Sequence, residues 1–528
     1  MITDKNDKAP YLSRIAREMI SLAMHPAILT AILATLLSVV WFNAFAGDSL
    51  KEHLPFSVRF WNIPGYPQSS EYMLGRYSGF PIVGRMLMGP GLALYAPRLL
   101  MLPNLIALAI LCGCCKRILG ISRAMTICCC LCFPVVFYGF GSSMQDFFVN
   151  AMVMSAAICL FTPKDTSRGL SVVQPHIERR DIFALAMLAL ASNTKFQGLF
   201  MASVVIFVAV ATRFILPAFR QLRVPMEKTI VTDYSVASRH YRMRWIAAVF
   251  ILFLVYAQPV VNILRFSNPF YPVEAFGMPG TEKTYNTPVQ YLPKIPVVYN
   301  YASFLSSALE IDPVIRSERG FRFKRSYHSR NIPKEEFKEP DNFGNMWILT
   351  GGSNGILYLL LLVGAIIGVI AIPRSTSGLN SAVIIANRRP MLSALIVCLL
   401  PQSIELRYYM YTLFVPALIA VNTPLLRLNK LMRLIVVAGL WILLASVIFE
   451  PLYFWSRTGK RLDDAISMDA YRGLPSEQEC LSCGKLEDSA KSGKKELIMT
   501  DYGKAFQCQL RFGRRLSVKY FPSSTRSK

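Results

Sequence analysis

The sequence predicts an all-α polytopic membrane protein with about eleven transmembrane helices, interfacial helices in its first outer loop, and a small α/β C-terminal tail. Three observations predict it. Of 528 residues, 53% are hydrophobic and only 17% charged, where a soluble chain of this size carries more charge. Apolar runs of roughly 17–25 residues, the length that crosses a bilayer, recur along the chain. The basic residues gather between those runs, and the loops alternate between basic and nearly uncharged.

The elements follow in order. Residues 1–25 are polar and the first apolar run is full length, so no cleavable signal is expected and the run should remain as an anchor. The runs fall at roughly 26–46, 92–114, 124–141, 146–162, 182–194, 197–216, 245–264, 347–372, 391–402, 409–423 and 434–451. Residues 26–451 thus form a transmembrane domain with long outer loops at 47–91 and 265–346, followed by a C-terminal segment at 452–528. With residues 1–25 in the cytoplasm, the inner segments hold 24 Lys and Arg against 8 Asp and Glu. The short outer turns hold Lys195, Glu405, Arg407 and little else. The positive-inside rule then orients the protein in a plasma (inner) membrane with its N-terminus cytoplasmic and its C-terminus outside.

The formal charge of +25 would point to nucleic acid in a soluble protein. Here it is explained by inner loops, and no nucleic-acid motif accompanies it. The first loop mixes aromatics, aliphatics and arginines in HLPFSVRFW and SEYMLGRYSGFPIVGRML, the composition of helices lying in the interface plane. In the tail, ELIMTD (496–501) and LSVKYF (516–521) read as strands flanking a helix.

Nine of the twelve cysteines lie in or beside apolar spans, where Cys acts as a small hydrophobe. Cys480, Cys483 and Cys508 lie in the polar tail. Cys480 and Cys483 have zinc-knuckle spacing, but no second pair or nearby His completes it. An exported tail predicts one disulfide among the three.

The ionisable residues at the outer ends of spans form a recurrent set. Asp48 and His53 follow the first span, Asp146 opens the fourth, and Lys195 sits between the fifth and sixth. Arg265 follows the seventh, and Glu405 and Arg407 lie between the ninth and tenth. Taken singly, each is an ordinary helix-end residue or snorkelling anchor. Acids beside several cations at one interface suit a lipid phosphate and a hydroxyl that must lose its proton.

In this order the signals resemble the GT-C superfamily of integral-membrane glycosyltransferases, which includes the protein mannosyltransferases and the lipid A aminoarabinose transferase. Five pieces carry the resemblance: Asp48 with His53-Leu54-Pro55, a first outer loop returning through Gly79-Phe80-Pro81, Asp146, Lys195 closing Ala-Ser-Asn-Thr-Lys, and Asn268-Pro269-Phe270-Tyr271-Pro272 with Arg407-Tyr408-Tyr409 later. The resemblance covers residues 26 to about 420. It implies an inverting transferase that takes a sugar from a polyprenyl-phosphate donor to a glycan, lipid or protein acceptor. Asp48 would be the base and His53 its support or an acceptor contact. Lys195 and Arg407 would face the leaving phosphate, with Arg265, Asp146 and Glu405 around them. The family often pairs two acids at the first-loop position, but here the neighbours of Asp48 are Gly47 and Ser49. A single carboxylate holds a divalent ion poorly, so no metal or other cofactor is expected.

Two other readings compete. A flippase or transporter of lipid-linked sugars would need ionisable groups near mid-membrane and repeated, broken helices. A polymerase or ligase of lipid-linked sugars, or a non-catalytic assembly subunit, would also place a large outer loop late in the chain, as 265–346 is, but would not need the Asp48–His53 loop.

Overall fold

The computed structural model describes chiefly residues 54–67, 79–133, 145–162, 177–215, 237–271, 378–400, 409–422, 476–488 and 495–520, with short strands in the central loop besides. The spans expected at 26–46, 347–372 and 434–451 lie outside the described residues, almost entirely in the case of 347–372. The described part is mostly helical.

Helix α1, Leu54–Phe60, begins directly after His53 and is buried from Leu54 to Val58. It packs on α2, Val83–Ala93. Both fall largely within the first loop, where helices are expected, and α2 runs two residues past its end at 91. A short 3-10 turn, Pro97–Met101, leads into α3, Leu102–Cys114, which runs on as a π turn to Leu119. Leu99–Leu119 makes a 21-residue helix apolar enough to cross a membrane. The span expected at 92–114 is therefore displaced toward the C-terminus. Tyr95, at φ 51°, turns the chain out of α2, and Pro97, with its fixed φ and no N–H, opens a new helix.

Helix α4, Arg123–Leu131, starts at a Ser122 cap whose Oγ accepts from the Met125 N–H at 3.3 Å. It stops at Leu131, so the run 124–141 is not one spanning helix. Pro134 lies just beyond, and the residue before a proline is pushed out of the helical region. Helix α5, Asp146–Phe161, has all sixteen residues buried. It is apolar on every side, the pattern of a helix surrounded by others. Ala151, Ser155, Ala156 and Ala157 let its neighbours approach closely.

Helices α6, Arg179–Ser192, and α7, Phe196–Val210, form a tight hairpin. A Cβ on Gly198 would overlap the Ala191 carbonyl, so this crossing requires glycine. The α7 helix extends through a π turn, Ala211–Ile215, and its segment Phe196–Arg213 is long and apolar enough to span. At the far end of this hairpin Arg213 pairs with Asp181 at 2.7 Å and also donates to the Leu160 carbonyl.

The span expected at 245–264 is two helices, α8 Ala237–Val255 and α9 Ala257–Phe266, bent by 48°. Pro259 cannot donate to the carbonyl one turn earlier, which opens the ladder at the bend. Helix α10, Gly378–Val397, begins well before the run at 391–402 expected for it, and α11 is Tyr411–Asn422. Among the described residues, two helices meet the length and composition of a span, or three if the bent pair counts as one.

The central loop contains paired strands that its sequence did not signal. Strands β1, Val273–Glu274, and β2, Glu282–Lys283, are parallel, and β3, Ile311–Ile315, and β4, Phe321–Arg325, form an antiparallel hairpin.

Near the C-terminus, α12, Glu477–Cys483, precedes β5, Lys485–Asp488, β6, Lys495–Met499, α13, Tyr502–Phe512, and β7, Ser517–Tyr520. The sheet order is β5-β6-β7, with β6 and β7 parallel across the α13 crossover. Helix α13 has two apolar faces. Ala505, Cys508 and Phe512 pack with Leu497, Met499 and Val518 of the sheet. Phe506 and Leu510, four residues apart on the other face, join the main core. A Cys480–Cys508 disulfide ties α12 to α13, and Cys483 is free and exposed. The nine cysteines of the apolar segments are free and buried.

Candidate functional site

Four pieces of chain distant in sequence meet at one end of the helical bundle. Asp146 is the first residue of α5, where helix N-termini favour a carboxylate. Lys195 is the extended residue between α6 and α7, at φ −149° and ψ 152°. Their side chains form an ion pair, Nζ to Oδ1, at 2.7 Å. Lys195 is 13% exposed and Asp146 2%. The second carboxylate oxygen, Oδ2, is buried with no hydrogen-bond partner among the described residues.

Amide side chains, most of them buried, tie together the elements around this pair. Gln145 donates through Nε2 to the Gly84 carbonyl of α2 at 2.5 Å. The Val83 N–H donates to the Asn193 carbonyl at 2.8 Å, and Asn193 Nδ2 donates to Leu254 of α8 at 2.7 Å. Asn262 of α9 donates through Nδ2 to the carbonyls of Gly79 at 2.9 Å, Pro269 at 3.3 Å and Tyr271 at 3.1 Å. One fully buried amide thus joins the Gly79-Phe80-Pro81 return of the first loop to the Asn268–Tyr271 segment after α9. Phe80, Phe196, Phe270 and Phe200 pack in that succession across the same junction, with centroids 5.3–6.4 Å apart. One turn into α5, Asn150 donates to the Asp146 carbonyl at 2.7 Å and accepts from the Tyr411 N–H at 2.8 Å. The start of α11 is thereby pinned beside the ion pair.

Arg85 of α2 donates to the Phe80 carbonyl at 3.2 Å and lies over the Phe56 ring at 4.3 Å. Loss of water lowers its pKa to about 10, which leaves it charged at neutral pH. Its role here is to tie α2 to α1.

Of the residues singled out in the sequence, the structure brings Asp146 and Lys195 together across 49 positions. Arg265 is exposed in the last turn of α9, with no recorded contact to that pair among the described residues. Asp48, His53, Glu405 and Arg407 lie outside the described residues. The nearest described chain on either side is α1 after His53, and Tyr409–Tyr411 after Arg407, buried against α5. Among the described residues no three His, Cys, Asp or Glu side chains group as metal ligands.

No protein-family model matches the sequence, and no curated protein does. Among solved structures, ArnT from Cupriavidus metallidurans, crystallised with undecaprenyl phosphate, is similar at 13% identity over 75% of this chain and 76% of that one. The TM-score is 0.30.

Sequence reasoning missed the scaffold. Gln145, Asn150, Asn193 and Asn262 drew no attention as single amides. The available signal was an uncharged polar residue inside an apolar run, as in DFFVNAM and PVVNILRF, which a membrane tolerates only when it is paired.

Proposed function

We propose that the protein is a GT-C-type membrane glycosyltransferase that moves a sugar from a polyprenyl phosphate to a glycan, lipid or protein acceptor on the outer face of the membrane. The observation that supports this reading is the buried Asp146–Lys195 pair, set where the first loop, α5, the α6–α7 turn and the segment after α9 converge. The resemblance in the sequence supplies the remaining roles.

In the proposed reaction Asp48 takes the proton of the acceptor hydroxyl, whose oxygen attacks the anomeric carbon. The bond from that carbon to the phosphate oxygen breaks, configuration inverts, and polyprenyl phosphate departs with the electron pair. Polyprenyl phosphate is a good leaving group, so positioning and cationic stabilisation carry most of the task. Lys195 supplies a cation with few accessible rotamers, because Asp146 orients its ammonium. Arg407, two residues before the buried Tyr409, is the second cation of the proposal, with Arg265 and Glu405 at its margin and His53 beside the base. No metal or cofactor enters the step.

The test is sugar transfer by the reconstituted full chain, with a polyprenyl-phosphate sugar as donor. Asp48→Asn should slow turnover about 10²–10⁴-fold with donor binding retained. Lys195→Met should raise KM and lower kcat together, since the phosphate is charged both before and after bond cleavage. Wild-type turnover in both variants would overturn the reading.

A further inference from the structure

Apart from the ion pair, the first loop borders an open cavity of about 410 Å³ between α1 and α2, lined chiefly by Trp61, Asn62, Ile63, Pro64, Pro90 and Tyr95. It opens at the opposite end of α2 from Gly84. The nine helical steps from Gly84 to Ala93 rise about 13 Å, the length of a short oligosaccharide.

Its walls are held by specific features. The Trp61 indole donates through Nε1 to the Met86 carbonyl at 3.1 Å. It lies so close on α2 that a Cβ at Gly89 would overlap its five-membered ring. Trp61 remains 48% exposed. Across the cavity, Tyr95 donates through its hydroxyl to the Pro64 carbonyl at 3.3 Å, and its ring stacks on Tyr66 at 5.2 Å. Tyr66 in turn rests on Phe506 of the C-terminal unit at 5.0 Å.

Two of the three non-glycine residues with positive φ among those described, Asn62 at 48° and Tyr95 at 51°, lie in this lining. That conformation is costly for a residue as bulky as Tyr, and such strain collects at ligand sites. The Asn62 side chain is exposed and has no hydrogen-bond partner among the described residues.

We infer that this cavity is a saccharide subsite, in which one sugar ring stacks on Trp61 and its hydroxyls bond to the Asn62 amide. The C–H face of a pyranose matches an aromatic ring whose polar N–H is already engaged. Its hydroxyls match a free amide that both donates and accepts. The cavity stays open to water, where a sugar keeps its outer hydroxyls solvated while one face lies on the indole. Identification of the sugar as part of the acceptor rests on the transferase reading; the binding itself does not.

The test is retention of the full-length protein, in lipid nanodiscs, on a broad printed array of soluble glycans. The wild type should be retained by glycans that share one ring. Trp61→Ala should weaken retention about ten-fold or more, and Trp61→Phe should keep most of it. Asn62→Gly removes the amide while suiting the positive φ, so it separates recognition from folding and should weaken retention several-fold. Absence of retention would overturn the inference. So would retention unchanged in Trp61→Ala and Asn62→Gly, the result expected if Trp61 only anchors the loop in the bilayer interface. Sugar transfer is read separately in the same preparations. Loss of the Asp48 and Lys195 effects on transfer with glycan retention intact would remove the transferase mechanism and leave the subsite standing.

Discussion

A lysine and an aspartate that ordinarily decorate helix ends become, when buried together, a constraint on the whole site. Asp146 is 2% exposed and meets Lys195 at 2.7 Å. Taking two charges out of water costs several kcal/mol per ion, which their attraction offsets only while both are present. Lys195→Met therefore leaves an uncompensated acid and should destabilise the protein by about 3–5 kcal/mol. Asp146→Asn with Lys195→Met should recover most of that loss, because no buried charge remains. Thermal unfolding of the wild type and the two purified variants checks this, and a double variant no more stable than Lys195→Met would show that the pair is not coupled. The comparison also separates stability from chemistry, since the double variant should fold but not regain proposed transfer activity.

At the scale of elements, α13 decides how the C-terminal unit attaches. One of its faces closes the three-stranded sheet, and the other places Phe506 on Tyr66 of the first loop. The Cys480–Cys508 disulfide closes a loop across a separation of 28 residues. In a chain-entropy account such a cross-link stabilises by roughly 3–4 kcal/mol. Mass mapping should find Cys480 joined to Cys508, with Cys483 and the buried cysteines as free thiols. Cys480→Ser should unfold the C-terminal unit at lower temperature and increase proteolysis within residues 477–520. Equal resistance in that variant and the wild type would show that the sheet core suffices without the cross-link. Asp501, whose Oδ1 accepts from the Lys504 N–H at 2.9 Å, independently caps the start of α13.

At the scale of the whole molecule, the contact of the C-terminal unit with the first loop constrains any membrane topology. Tyr66 and Phe506 touch, so the chain between them must cross a bilayer an even number of times. With the 24-to-8 charge imbalance on the inner segments, reporter fusions after Leu264 and after Pro451 should both read as exported. A cytoplasmic signal from either would overturn the orientation. The bundle ends also differ in chemistry. Asp181, Arg213 and the Leu160 carbonyl tie one end together, and the Asp146–Lys195 pair lies at the other.

What the sequence determined by itself is what periodicity and composition encode locally. Long apolar runs mark the membrane class, the mixed aromatic and aliphatic HLPFSVRFW and SEYMLGRYSGFPIVGRML mark helices in the first loop, and strand-like ELIMTD and LSVKYF mark the tail sheet. A polar residue breaking each run end marks Asp146 and Lys195 as worth attention. Tertiary structure decided what depends on particular partners. Proline and a single left-handed Tyr95 divided runs that hydropathy joins, because hydropathy averages over the one residue that breaks a hydrogen-bond ladder. Buried amides found carbonyls as many as 183 positions away, as Asn262 found Gly79. Asp146 and Lys195 became one ion pair only because α5 and the α6–α7 turn end at the same depth. The aromatic cavity arose where Gly89 let an indole lie on a helix. A contact between distant residues is a property of packing geometry, and no local pattern in the chain records it.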